Sequence, residues 1–313
     1  LPCLTGTAII RAVLVLWRMA KVADGQSRPV IGIIGGSGVY GIEGLTDVEW
    51  RTIDSPFGAP SDQLMFASLN GQPLVFLPRH GRGHRISPSE VNYRANIYGM
   101  KKLGVGWIVS ISAVGSLRED IAPGHMVIID QFIDRTKSQR AVTFYEQGIV
   151  AHIAFGDPVC GALRGYLVKA AQEAGAVTHD GGVYVCMEGP QFSTRAESNL
   201  YRSWGAHVIG MTNLTEAKLA REAEISYATV AMSTDYDCWH EGHDDVTVEA
   251  VVAVIKANVA RAKAIIAGVA PLIAAHEGPP PMHQAMKGAI MTAPHLIPAD
   301  RRAALDLIIG KYL

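Results

Sequence analysis

Short apolar runs that alternate with helical patterns constrain this chain of 313 residues more than any other feature. Residues 30–34, 107–111, 183–187 and 228–232 are too short for stable helices. Glycine or polar turns bound them, so they are predicted to be buried strands. Residues 64–69 and 73–77 flank Asn70-Gly71, a strong hairpin signal. Residues 127–132 and 208–210 add further strands. Between them the spacing predicts helices over 89–103 and 159–174, closed by Gly104 and Gly175. Thr194-Arg-Ala-Glu197 is a capping box opening a helix that stops at Gly205, and Asn213-Leu-Thr-Glu216 is expected to open another in the same manner. A long helix is predicted over 248–267, ahead of Gly268 and Pro271. The pattern gives an α/β fold with a largely buried sheet and no internal repeat.

The first strand runs into Gly36, Gly38 and Gly41, which fall at G-x-G-x-x-G spacing. A dinucleotide fold needs the third glycine to open a helix, because the pyrophosphate rests on that helix's N-terminus. Here apolar and polar residues alternate from Leu45 onward, Gly44 interrupts any early helix, and Asp54-Ser-Pro-Phe-Gly58 is a turn. The unit is strand, glycine turn, strand. Such a turn exposes backbone N–H groups suited to a lone phosphate.

Composition narrows the class. With 49% hydrophobic residues and a net charge of −1, the chain is globular and carries no basic stripe for a nucleic acid. Cys3, Cys160, Cys186 and Cys238 form no C-x-x-C pair, as expected of reduced thiols in a cytoplasmic protein. The apolar run 8–17 is interrupted by Arg11 and falls short of the roughly 20 residues that span a bilayer, so no membrane partner is expected. Residues 1–28 are expected to form a disordered or start-site extension outside the fold. The main body is expected over 29–275, and Gly278-Pro-Pro-Pro281 begins a Pro-rich linker and helical tail over 276–313.

Polar residues gather where the strands end. Arg79-His80-Gly81-Arg82-Gly83-His84 follows one strand, Ser110–Ser116 another, Met211-Thr212 a third, and a fourth ends in Asp235 and Asp237. In open α/β sheets ligands sit beyond the carboxyl ends of strands, so one shared site is expected. Taken singly, each cluster has a plainer explanation: a solvated basic loop, a core methionine, a core phenylalanine.

The ordered motifs "IGIIGGSG", "RHGRGH", "VNYRANIYGMKKLG", "SAVGSLRED", "DQFIDRT", "EGPQFSTRAES", "MTNLTEAKLAREA" and "STDYDCWHE" resemble the trimeric branch of the purine nucleoside phosphorylase family, over about residues 30 to 271. The resemblance implies a single α/β domain with a twisted mixed β-sheet flanked by helices, assembled as a homotrimer or a hexamer. It implies phosphorolysis of a nucleoside, with inorganic phosphate as co-substrate and no metal or organic cofactor.

Carried over residue by residue, it makes Ser37, Arg79, His80, Ser112, Ala113 and Thr212 phosphate ligands. Met211 would pack on the ribose and Phe192 on the base, with His152 also at the nucleoside. Asp235 and Asp237 would read N7 and the exocyclic amine of the purine. Alternation puts these two on one side, and two close carboxylates raise one pKa, leaving one to donate and one to accept. Relatives acting on 6-oxopurines carry glutamate where Ser193 stands and asparagine where Asp235 stands, so a 6-aminopurine is expected. Val248 and Val251 would form an apolar wall suited to a 5′-methylthio group, which makes methylthioadenosine the expected substrate and adenine and 5-methylthioribose 1-phosphate the products. A tail residue, Ile290 or Met291, would cap the neighbouring subunit's pocket, and Thr215 replaces a proline common in relatives. The alternatives are a 6-oxopurine or broad-specificity phosphorylase, a hydrolase, which would dispense with the phosphate donors, and a non-catalytic nucleoside-binding protein.

Overall fold

The computed structural model describes residues 28–36, 38–137, 140–240 and 248–313, without the side chains of residues 248–251, 253 and 255. The extension expected over 1–28 therefore lies almost wholly outside the described residues.

Strands β1 (Val30–Gly35), β2 (Leu45–Arg51), β3 (Leu64–Leu69), β4 (Gln72–Pro78), β5 (Val105–Ser116), β6 (Met126–Ile128), β7 (Gln131–Arg135), β8 (Thr178–Asp180), β9 (Val183–Met187), β10 (Val208–Gly210) and β11 (Ser226–Tyr236) form one mixed sheet. Its main path is β2-β3-β4-β1-β5-β10-β9-β7, with β11 on β5, β6 on β11 and β8 on β6. β5 organises the rest. Its first half pairs parallel with β1, its length pairs parallel with β11, and its last residues pair antiparallel with β10. β1, β3 and β4 are buried throughout, which explains their largely apolar sequence.

Helices α1 (Tyr93–Lys102), α2 (Gly161–Glu173), α3 (Arg195–Ser203), α4 (Asn213–Glu222), α5 (Val248–Ala274) and α6 (Ala299–Ile309) accompany the sheet. Alternation along β1 sends Ile31 and Ile33 to a core shared with Leu163, Leu167 and Ala170 of α2 and Ile265, Ile266 and Val269 of α5. Val30 and Ile34 face the other core, with Ile97 of α1, Leu219 of α4 and Ile308 of α6. Asn70 and Gly71 take φ of 51° and 76°, the left-handed pair that a tight hairpin requires.

Two elements differ from the sequence pattern. The strand expected over 127–132 breaks into β6 and β7 because the chain changes partners there, from β11 and β8 to β9. The helix expected to stop at residue 267 runs on to Ala274 through Gly268 and Pro271. A Cβ on Gly268 would stand 3.4 Å from that of Ala170, so glycine lets α5 lie close to α2. Proline costs a helix interior about 3 kcal/mol, but Val269, Ala270 and Ile273 on the same stretch are buried. Residues Lys256–Ala274 are apolar enough to cross a membrane by length and composition. Their buried side chains are those of the sheet-facing core.

The segment after residue 275 is packed on this body. Pro280 lies against Gly106, where a Cβ would stand 2.7 Å from its Cγ. Met286, Ile297, Leu305, Ile308 and Ile309 join the core of α1 and α4. Lys311 and Tyr312 both reach the buried carboxylate of Glu224.

Candidate active site

β1, β4, β5 and β11 are mutually parallel, so their carboxyl ends lie at one edge and carry the expected residues there. β10 arrives differently. It runs antiparallel to β5, with Val208 opposite Ser116 and Ile209 opposite Gly115. Beyond its end, Thr212 Oγ1 donates to Asn213 Oδ1, and Asn213 Nδ2 reaches Ser110 Oγ, the partner of Arg79. The clusters do meet, although β10 reaches the site from the opposite direction.

Arg79 follows β4, and its amide donates to Gly35 O at 3.0 Å, fixing it beside the glycine turn. Its side chain is turned inward and only 3% of the residue is exposed. Nε donates to Glu216, Nη2 to Ser110 Oγ at 2.6 Å and to Glu216 Oε2 at 3.2 Å, and Nη1 to Ile111 O at 3.1 Å. Burial opposes its charge, but Glu216 outweighs this and holds the guanidinium above its usual pKa. Ser112 is buried and donates to Ala113 O at 3.3 Å, while Ala113 is exposed at the strand's end. Ser37 lies outside the described residues.

The basic loop is not one positive patch. His80 Nδ1 lies 2.8 Å from Ile86 O, and only a protonated Nδ1 can donate to a carbonyl. Burial pushes the imidazole down to about 4, and the charge of Arg79 adds to this. His84 stacks on the ring with centroids 4.5 Å apart. Arg82 and Arg85 pair with Asp62.

The start of α4 departs from the expected capping box. Thr212 is the N-cap, without a side-chain cap bond, and Asn213 is already inside the helix. The side chains that would cap it are buried under the site instead. Glu216 accepts from Arg79, from Ser110 Oγ at 2.8 Å and from Tyr227 Oη at 2.8 Å. Asn213 Nδ2 shares its two hydrogens among Ser110 Oγ, Tyr227 Oη and Thr229 Oγ1, while Tyr184 Oη and Thr212 Oγ1 donate to its Oδ1. A buried arginine needs a carboxylate more than an exposed helix end needs a cap. The box at Thr194 and Glu197, where no such demand exists, forms as expected.

At the other end, β11 shifts register between Ser233 and Asp235, which sets Asp235 opposite Gly115. A Cβ on Gly115 would stand 3.1 Å from Asp235 Oδ1 and 3.4 Å from Asp237 Cβ, so both aspartates flank it on the same side. Burial pushes Asp235 up to about 6, against the pull of the Thr234 hydroxyl and with Asp237 adding to the rise. Thr234 Oγ1 lies 2.6 Å from Asp235 Oδ2. Burial raises Asp237 as well, against the pull of the Ser198 hydroxyl, the Cys238 amide and the Ser193 hydroxyl. The pair thus offers one carboxyl that keeps its proton up to about pH 6 beside a second whose burial also favours the neutral form.

Ser193 lies beside this pair: its carbonyl accepts from Cys238 Sγ at 3.3 Å. Phe192 is 52% exposed. Met211 packs against Gly189, where its Sδ leaves no room for a Cβ. His152 is exposed on a separate edge, its amide donating to Ala289 O at 2.9 Å, and the subunit does not bring it to these residues. The side chains of Val248 and Val251 lie outside the described residues.

Sequence reasoning missed Arg140 and Glu188. The Arg140 side chain is fully buried; it donates to Glu188 Oε1 at 2.9 Å, to Glu188 O at 2.7 Å and to Met211 O. Glu188 also accepts from Lys137 N at 2.6 Å and from Ser89. Arg140 thereby ties the loop leading to Phe192 and Ser193 to the backbone of Met211. No local pattern marks it, because its partners lie 48 and 71 residues away.

The sequence pattern of the phosphorylase superfamily matches residues 30–271. The S-methyl-5′-thioadenosine phosphorylase of Geobacter sulfurreducens is 62% identical over 284 residues, covering 91% of this chain and 99% of the relative. That of Koribacter versatilis is 55% identical, over 90% of this chain and 96% of the relative. Among solved structures, a methylthioadenosine phosphorylase from an antarctic soil metagenomic library superposes with a TM-score of 0.86 at 45% identity, covering 90% of this chain and 99% of the other. A methylthioadenosine phosphorylase from Schistosoma mansoni in complex with adenine gives a TM-score of 0.75 at 37% identity, over 79% and 93%.

Proposed function

This chain belongs to the phosphorylase superfamily, among its S-methyl-5′-thioadenosine phosphorylases, and we propose that its site residues divide the phosphorolysis of methylthioadenosine between the two ends of one strand-edge pocket. Phosphate is held by the Gly35–Gly38 turn with Ser37, by Arg79, His80, Ser112 and Ala113, and by Thr212. The nucleoside lies over Met211, with its base between Phe192 and the aspartates. The observation that carries this reading is the convergence of Arg79, Ser112–Ala113 and Asp235 at neighbouring parallel strand ends.

A phosphate oxygen attacks C1′ as the bond from C1′ to N9 breaks, giving 5-methylthioribose 1-phosphate and adenine. Phosphate is a weak nucleophile, so holding it against the anomeric carbon supplies much of the rate. Negative charge grows on the leaving purine, and Asp235, raised to about 6, gives its proton to N7. Asp237 accepts from the N6 amine. A positioned acid of this kind contributes roughly 10²–10⁴-fold.

The subunits assemble as a homotrimer or a hexamer in the cytoplasm. In support, Val150, His152 and Met291 sit together on one exposed ladder, with Met291 N donating to Val150 O at 2.9 Å. From there His152 and Met291 reach the neighbouring subunit's nucleoside.

Adenine release from methylthioadenosine with and without phosphate tests the reading. Release that depends strictly on phosphate is expected. Undiminished release in phosphate-free buffer makes the enzyme a hydrolase, and none in either condition makes it a binding protein.

A further inference from the structure

The phosphate end of the pocket holds a guanidinium whose charge is already balanced. Arginine has five N–H groups. On Arg79, Nε and one hydrogen of Nη2 go to Glu216, the other of Nη2 to Ser110 and one of Nη1 to Ile111 O, leaving a single Nη1–H. Glu216 receives donors from Arg79, Ser110 and Tyr227, so both its oxygens are taken up as acceptors at contact distance from the guanidinium. Burial beside Arg79 keeps His80 from supplying charge either. Its Nδ1 proton is fixed on Ile86 O, which leaves Nε2 as a bare lone pair in the neutral ring.

The charged and titratable groups around His80 are Arg79, Glu216 and the stacked His84, with Tyr93 and Tyr227 behind Arg79. Arg82 and Arg85 on the same loop turn to Asp62. Asp235 and Asp237 stand at the other end of the pocket. Among the described residues, then, the pocket has no net positive charge with which to meet a dianion. Burying two uncompensated charges is far costlier than taking up one proton.

We propose that Glu216 cancels the charge of Arg79, so that phosphate is bound with one proton more than the dianion, that proton lying between a phosphate oxygen and His80 Nε2. The ring accepts from the monoanion, or equivalently donates to the dianion after taking up the proton. Either way one proton enters with phosphate from alkaline solution. Glu216 is accordingly a positioning residue: it aims Arg79 and sets the protonation state of the ligand without touching it. The inference rests on the phosphate-site reading above.

Phosphate binding is measured by calorimetry in two buffers of different ionisation enthalpy, from about pH 7.5 to 9. Linkage then requires an uptake approaching about one proton per site, and a Kd that rises about tenfold per pH unit. In Glu216→Gln the charge of Arg79 is released to the ligand, so the uptake falls toward zero and the pH dependence flattens. A wild-type protein that binds phosphate with no proton uptake and a flat Kd overturns the inference, whether or not the variant folds. A folded Glu216→Gln enzyme with unchanged uptake overturns the role of Glu216. Failure to bind phosphate at all, or binding unaffected by Arg79→Met, overturns the site reading instead.

Discussion

Gly115 stands directly opposite Asp235 in the parallel pairing of β5 with β11, and a Cβ there would lie 3.1 Å from the carboxyl oxygen Oδ1. The aspartate pair is therefore built against a strand position that has no room for a side chain. A β-bulge sets this contact, since the register shift between Ser233 and Asp235 is what aims the carboxyl at Gly115.

Gly115→Ala is expected to displace Asp235 by a few tenths of an ångström and to cost about 10- to 100-fold in kcat/KM for the nucleoside. The KM for phosphate should change little, because Arg79 and Ser112 do not touch Gly115. Steady-state kinetics with each substrate varied in turn checks this. Equal losses for both substrates would place the damage in the fold rather than at Asp235.

Asp235→Asn trades activity for stability. A rise from 3.8 to about 6 means the folded state favours the neutral carboxyl. That preference costs nothing below about pH 4, grows as pH climbs to about 6, and is fully felt above it, where it amounts to up to about 3 kcal/mol. Asparagine carries no charge to desolvate. The variant should therefore melt higher than the parent at pH 8, with the gain vanishing near pH 4. Its turnover of methylthioadenosine should fall, and relative preference should move toward 6-oxopurine nucleosides because the amide can donate to O6. Thermal melts across pH and paired substrate assays measure the two effects. An unchanged melting temperature would remove burial as the cause of the raised pKa.

Arg140→Met should lower kcat/KM for both substrates by about 100-fold, since it frees the backbone of Met211 and the loop leading to Ser193 together. It also leaves Glu188 with only Lys137 N and Ser89 as donors, at a cost of about 1–3 kcal/mol in stability. Adding Glu188→Gln should recover part of that stability while leaving activity low, a coupling of about 0.5–3 kcal/mol in a double-mutant cycle. Activity that recovers in step with stability would reduce Arg140 to a structural cross-link.

What the sequence disclosed and what it hid divide along a physical line. Signals that act locally were legible: the Asn70-Gly71 hairpin, the box at Thr194, and the strand that follows the glycine turn where a dinucleotide fold would place a helix. Long-range demands overrode local grammar elsewhere. Glu216 looks like a capping residue until Arg79, 137 positions away, claims it. His80 looks cationic until burial beside that arginine neutralises it. Arg140 carried no local signal, and the antiparallel approach of β10 is invisible in three apolar residues.

The tail separates two roles that a single truncation would confuse. Deleting residues after Pro281 removes Leu305, Ile308 and Ile309 from the core and leaves Glu224 without Lys311 and Tyr312, so a large drop in melting temperature is expected. Met291 is different. It is 64% exposed in the subunit and supports no core contact, so Met291→Ser should leave the melting temperature nearly unchanged. If the side chain caps the methylthio group of the neighbouring site, it contributes there what a buried apolar side chain contributes, about 1.5–3 kcal/mol. Apolar pockets discriminate by about 10- to 200-fold, so the preference for methylthioadenosine over adenosine should fall by at least about tenfold. Measuring kcat/KM for both nucleosides, with light scattering to follow assembly, decides the point. A preference that survives Met291→Ser in an intact oligomer shifts the capping role to Ile290 or away from the tail altogether.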